Sequence, residues 1–266
     1  MKRALAALVL LSAAFPASAQ TNVTQAQAAP PSSPRHVEFL SRYVFGVGLE
    51  HLFRDEPRYV WDATFGGEVD MVDYGAGRAT FAATYETVLG NELREFDPNQ
   101  GNYTLEGSVT VRTPAGELAG VFHHVSRHLS DRPKRFPIDW NMIGGRIRRN
   151  VVFGRTSLQA RGDLRGAIEH TYVDYRWEAE GAADAHVHVT PRVGILAAGT
   201  VRMLGTNGTR GRGTQVGVRG EGGVRLIGRG AALDLIFAAE RRIDPYQLEF
   251  GTITWMTTGF RISSVP

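Results

Sequence analysis

Apolar and polar residues alternate with a period of two through most of this chain, and the alternation comes in runs too long for an ordinary sheet. In "YVWDATFGGEVDM", Tyr59, Trp61, Ala63, Phe65, Val69 and Met71 fall on one side, and Asp62, Thr64, Glu68 and Asp70 on the other. The next runs repeat it, with Phe81, Ala83, Tyr85 and Leu89 against Thr80, Thr84 and Glu86, then Tyr103, Leu105, Val109 and Val111 against Thr104, Glu106 and Arg112. "SLQARGDLRGAIEHT" sets Leu158, Leu164 and Ile168 against Arg161, Asp163, Arg165 and Glu169. "DYRWEAEGAADAHVHV" sets Tyr175, Trp177 and Val187 against Arg176, Glu178 and Glu180. Side chains of a strand point alternately to its two faces, whereas helical spacing would mix these sets, so the runs are strands.

Their length decides the architecture. Soluble strands usually have about 5 to 6 residues, while a tilted strand crossing a bilayer needs about 9 to 11. These runs are of the longer kind. The connections alternate too. "TPAG" (113–116), "TPRV" (190–193) and "IGRG" (227–230) are tight turns, whereas "NELREFDPNQG" (91–101), "SDRPKRFPIDW" (130–140) and "TNGTRGRG" (206–213) are longer and polar. Short turns at one rim and longer loops at the other describe a transmembrane antiparallel up-and-down β-barrel. Strands are expected near 39–53, 58–71, 79–90, 102–112, 117–128, 139–149, 155–169, 173–189, 194–204, 214–226, 231–242 and 248–262, which makes about twelve, an even number, with both termini at the short-turn rim. The alternation blurs across "RRNVVFGR", and "DPNQGNY" carries turn chemistry, so it is assigned to a loop. Tyr59, Trp61, Tyr103, Trp140, Tyr175 and Trp177 lie near the long-loop ends, where an aromatic girdle is expected.

The N-terminus suits an exported barrel. Lys2 and Arg3, the apolar run "ALAALVLLSAAF" and the small-residue site "ASAQ" read as a signal peptide over 1–19, too short to span a bilayer permanently. Residues 20–35, Pro-rich and polar, read as a disordered lead-in, and 36–266 as one outer-membrane barrel domain. Cysteine is absent, so the exported fold must be held without disulfides. Setting aside Lys2 and Arg3 from the 30 basic residues leaves 28 against 27 acids, which is no footprint for nucleic acid. The expected location is the outer membrane, the expected partners are its lipids, and no cofactor is implied.

If the polar faces point inward, the interior holds a network of both signs that includes Asp62, Glu68, Asp70, Glu86, Glu106, Arg112, Arg161, Arg165, Arg176 and Glu178. An unpaired charge inside a narrow barrel is costly, so these groups should pair. A barrel of about twelve strands is small enough for them to fill it. Balanced signs point to a polar, filled interior, since a selective pore shows rings of one sign.

One stretch stands apart. "GVFHHVSRHLSDR" gathers His123, His124, Ser126, His128 and Asp131 at the end of an expected strand. His124 and Ser126 share a face, and their Cα atoms are about 6.5 to 7 Å apart, near enough for a histidine base to reach a hydroxyl. Two histidines at i, i+4 diverge on a strand and no third ligand has fitting spacing, so no metal site is assigned.

On these residues the chain resembles the outer-membrane phospholipase A and lipid A deacylase families, which carry His-x-Ser on one strand at the membrane-facing surface, with a polar residue of the neighbouring strand orienting the histidine. The resemblance implies Ser126 as nucleophile, His124 as base and Asp139 or Asn141 as orienter, and it requires that His124 and Ser126 face lipid. The sequence departs from that pattern after the serine, where Arg127 and His128 stand. "FDPNQGNYTLEG" and "VFHHVSRHLSDRPKRFPIDWNMIGG" are also similar to bacterial outer-membrane barrels without an assigned activity. Two functions follow as expectations: a structural, interaction or small-solute-passage barrel, or an outer-membrane lipid acyl hydrolase.

Overall fold

The computed structural model describes residues 37–130, 132–133 and 135–264; the assignments made for positions 1–35 lie outside the described residues. These form twelve strands: β1 (Glu38–Phe53), β2 (Trp61–Asp73), β3 (Gly77–Gly90), β4 (Asp97–Thr113), β5 (Gly116–His128), β6 (Asp139–Phe153), β7 (Thr156–Thr171), β8 (Tyr175–His188), β9 (Val193–Thr206), β10 (Gln215–Ile227), β11 (Ala231–Ile243) and β12 (Thr252–Ser264). Each pairs antiparallel with its neighbours in sequence, and β1 pairs with β12 from Gly46↔Ser263 to Phe53↔Met256, closing the barrel. Closure removes both sheet edges, so the strands' backbone groups find partners within the wall.

The connections 74–76, 114–115, 154–155, 189–192 and 228–230 meet at one rim, and 54–60, 91–96, 129–138, 172–174, 207–214 and 244–251 at the other. Gly75 and Gly154 adopt φ of 78° and 57° in two of the tight turns, a conformation in which a Cβ is unfavourable.

The wall is apolar outside. Phe65, Phe81, Val109, Phe122, Ile143, Leu164, Ile195, Leu235 and Phe237 all project away from the lumen, and Leu164 is 64 % exposed. Inside, charged side chains line the lumen along its length, and toward the long-loop end apolar clusters pack beside them. Val125, Trp140, Met142, Tyr175, Leu204 and Ile243 form one inward cluster with Ile138 and Val173, and Leu52, Tyr59, Val88 and Trp255 form a second. This corrects the expected girdle: Trp61, Tyr103 and Trp177 face outward, whereas Tyr59, Trp140 and Tyr175 are buried inside. It also makes the interior less uniformly polar than expected.

Two further expectations fail for local reasons. "DPNQG" belongs to β4, with Asn99 and Gln100 buried. Their amides donate to the carbonyls of Arg58 (2.5 Å) and Pro245 (2.5 Å), so residues that commonly make turns here tie the strand to two loops. Arg176 is exposed at a bulge where Tyr175 pairs with Thr206 and Trp177 with Gly205. The extra residue resets the parity, so Tyr175 and Glu178 point inward and Arg176 does not join the interior network.

Leu164→Arg should destabilise the barrel by about 2–4 kcal/mol, as an arginine does near the bilayer midplane. Urea unfolding in lipid vesicles measures this, and an unchanged midpoint would remove Leu164 from the lipid-facing wall.

Candidate functional site

Inward-facing arginines and carboxylates interlock across the lumen. Arg242 of β11 reaches Asp62 of β2 (2.5 Å), Glu86 of β3 (2.8 Å) and Glu240 of its own strand (2.8 Å). Arg219 holds Glu50 (2.8 Å) and Glu221 (2.9 Å), and Arg261 links Glu221 (2.9 Å) to Asp234 (3.3 Å). On the opposite wall Arg146 binds Glu106 (2.5 Å) and Asp163 (2.6 Å), Arg165 spans Asp163 (3.3 Å) and Glu178 (3.2 Å), and Arg161 contacts Glu180. Nearer the short turns Arg42 binds Glu68 and Asp70, and Arg112 binds Asp73 (2.6 Å). Arg242 and Arg219 bridge strands that are not neighbours in the wall, so the network fills the lumen as well as lining it.

The long-loop mouth is latched above this network. Asp244, at φ 46°, turns the chain back over the opening. Its carboxylate accepts from Tyr175 Oη (2.6 Å) and from two nitrogens of Arg212 (2.7 and 2.8 Å), and its carbonyl accepts from Arg127 (2.8 Å). Gln247 donates to the His128 carbonyl (2.7 Å). Arg212 also binds Asp174. Burial alone would raise the Asp174 carboxyl, but the Arg212 guanidinium outweighs it and holds the pKa below the ordinary aspartate value. A depressed carboxyl stabilises the fold above its unfolded pKa and loses that contribution as pH falls through the folded value, so this latch is intact at neutral pH.

The outer wall carries the second cluster. On β5, Val121, His123, Val125 and Arg127 are buried on the inward face, while Phe122, His124, Ser126 and His128 project outward. His124 pairs in register with Asn141 of β6, and Asn141 with Glu169 of β7. The side chains follow: His124 Nδ1 lies 2.8 Å from Asn141 Oδ1, and Asn141 Nδ2 donates to Glu169 Oε2 at 3.1 Å. The Glu169 carboxyl oxygen accepts from the amide NH2, which turns the amide oxygen to His124. His124 Nδ1 then donates to the amide oxygen, and in the neutral ring this leaves the Nε2 lone pair free. Ser126 Oγ bonds His128 Nε2 at 3.0 Å, so its partner is the histidine two residues after it and not His124. Asp139 stands opposite Ser126 in register. His128 packs edge-on against Tyr103 at 5.2 Å.

Sequence alone assigns Glu169 and His128 no role in this cluster. Parity places Glu169 inside with Arg161, Asp163 and Arg165, but a bulge between the pairs Asn141↔Glu169 and Met142↔Ala167 turns it outward. His128 was legible, since it continues the alternation of His124 and Ser126. Six polar groups on three adjacent strands (His124, Ser126, His128, Asp139, Asn141 and Glu169) thus interrupt a mostly apolar wall beside the long-loop rim. Polar side chains on a lipid-facing surface are costly and tend to mark function.

Closed wall, apolar outer band and filled lumen define an outer-membrane β-barrel. Among solved structures the chain is similar to LpxR from Salmonella typhimurium, at 8% sequence identity and TM-score 0.50, over 84% of this chain and 100% of that one. It is also similar to OmpT of Vibrio cholerae, at 8% identity and TM-score 0.44, over 86% and 96% of the two chains. Omp33 of Acinetobacter baumannii matches at 10% identity and TM-score 0.41, over 85% and 98%. At such identities the likeness is one of fold. No family model matches the chain, and no curated protein matches it in sequence.

Glu169→Ala should free the Asn141 amide to flip and let His124 sample its other tautomer. Nitrogen-15 shifts of the His124 ring in the wild type and the variant check this; identical tautomer populations would show that Glu169 does not orient the amide.

Proposed function

We propose that this chain is an outer-membrane barrel whose lumen is blocked and whose work is done at its surfaces, in contact with membrane lipid. The observation that carries this is the Arg242 node, where one guanidinium holds carboxylates from β2, β3 and β11 inside the barrel. Opening a path would separate several buried ion pairs, and breaking one side of such a pair costs about 3–5 kcal/mol. The latched mouth adds a second barrier in series. Purified barrel in a planar bilayer should therefore give no conductance steps, and regular open channels in the wild type would overturn this reading.

One observation favours a second reading, a lipid acyl hydrolase at the outer leaflet. The residues implied by the His-x-Ser resemblance face outward, and Asn141 orients His124 by a 2.8 Å hydrogen bond. The His124 imidazole would take the proton of Ser126 as its oxygen attacks an acyl ester, and return that proton to the leaving alcohol. It would then deprotonate a water that cleaves the Ser126 acyl ester, releasing the fatty acid and restoring the hydroxyl. A change of side-chain rotamer must first move the Ser126 hydroxyl from His128 to His124 Nε2. An ester held in the leaflet reaches this face directly, whereas a water-soluble substrate does not. Overexpression of wild type should raise lyso-lipid or deacylated lipid relative to Ser126→Ala, read by mass spectrometry of membrane lipids. Equal lipid profiles would remove the hydrolase reading and leave the blocked barrel in place.

A further inference from the structure

In the half of the lumen beside the short turns, one guanidinium is only loosely paired among the described residues. Arg148 of β6 points inward two residues after Arg146. Its ion partner is Glu68 at 3.8 Å, too far for a hydrogen bond, and that carboxylate is already bound by Arg42. The Arg148 side chain makes no hydrogen bond among the described residues. It faces a small cavity whose wall also includes Arg78, Arg146, Thr80, Ser108, Thr110 and Glu117.

The free hydrogen-bonding capacity of this cavity is almost all donor. Arg78 gives its two terminal nitrogens to Asp70 (3.1 Å) and Glu117 (2.7 Å), and its buried Nε has no partner. Arg146 is committed to Glu106 and Asp163. Thr80 and Ser108 share one hydrogen bond at 2.6 Å, which leaves one of their two hydroxyl protons free. The acid on the wall, Glu117, is neutralised by Arg78 and by Arg112 at 3.7 Å. A guanidinium has five N–H donors and no acceptor, and its planar fork suits carboxylate and phosphate oxygens.

We infer that this cavity is a binding site for a small oxyanion, of phosphate or carboxylate type, held by Arg148 with the Thr80/Ser108 hydroxyl pair. The ligand supplies the acceptors that the lumen wall lacks there, and it enters from the short-turn rim, because Glu117 is the second residue of β5, just after the 114–115 turn. The site is separate from the outward His124–Ser126 cluster and holds whether or not that cluster is catalytic.

Isothermal titration of the detergent-solubilised chain with inorganic phosphate and, separately, with acetate tests this, against sodium chloride at matched ionic strength. Saturable binding of one equivalent of either anion is expected, weakened at least tenfold in Arg148→Gln and tightened in Glu117→Gln. Heat-modifiable gel mobility verifies folding; Arg148→Gln loses no hydrogen bond and should fold. If it does not, Ser108→Ala serves in its place, with binding expected to fall several-fold. Titrations indistinguishable from chloride for both anions, or binding unchanged in Arg148→Gln, would overturn the site.

Discussion

Everything in this molecule depends on the sheet closing on itself. A bilayer offers the peptide backbone no hydrogen-bonding partner, so an open sheet of this length would leave two rows of amides and carbonyls stranded in hydrocarbon. The pairing of β1 with β12 removes both rows at once. Closure then dictates the rest. Outward positions must be apolar because they meet lipid, and inward positions must fill a narrow tube with side chains that satisfy one another.

That second demand explains the arginine-rich interior. Exposed ion pairs contribute little because water screens them and side-chain entropy opposes them. In a confined lumen the balance changes: each charge is desolvated, and only a partner with good geometry compensates. Arg242, Arg219 and Arg146 each hold two or more carboxylates. A planar fork can serve several acceptors simultaneously, which a lysine ammonium on a flexible stem does less well. The apolar clusters around Trp140 and Trp255 do a different job at the loop end. They exclude water beneath the loops and give residues 244–251 a surface to rest on.

Much of this was legible in the sequence, because a strand's two-residue period divides lipid face from lumen without reference to the rest of the fold. Strand number, the two kinds of rim and the shared face of His124 and Ser126 follow from that period and from the turn residues, but which face that is does not. Two of the failures share a cause. Arg176 and Glu169 both lie at bulges, where an extra residue shifts parity by one and sends the following side chains to the other face. A bulge has little local signature, since it depends on what the neighbouring strand presents. Tyr59, Trp140 and Tyr175 failed otherwise: proximity to a rim says nothing about which side of the wall a ring occupies. The Ser126–His128 bond was likewise beyond reach, because spacing makes His124 and His128 equivalent neighbours of the serine.

The seam has a consequence for assembly. Gly46 meets Ser263, and the Phe45 amide donates to the Ser264 hydroxyl at 2.9 Å, so the ring is completed by residues from opposite ends of the polypeptide. Hairpins can form early from sequence-local pairs, but the last contacts wait for the final strand and close the longest loop in the chain, the slowest kind of step. Until then the half-built wall exposes two sticky margins, and a nascent chain in this state has every incentive to pair with something else. Completion is therefore all-or-none, and truncation by a single C-terminal strand would forfeit the whole cylinder.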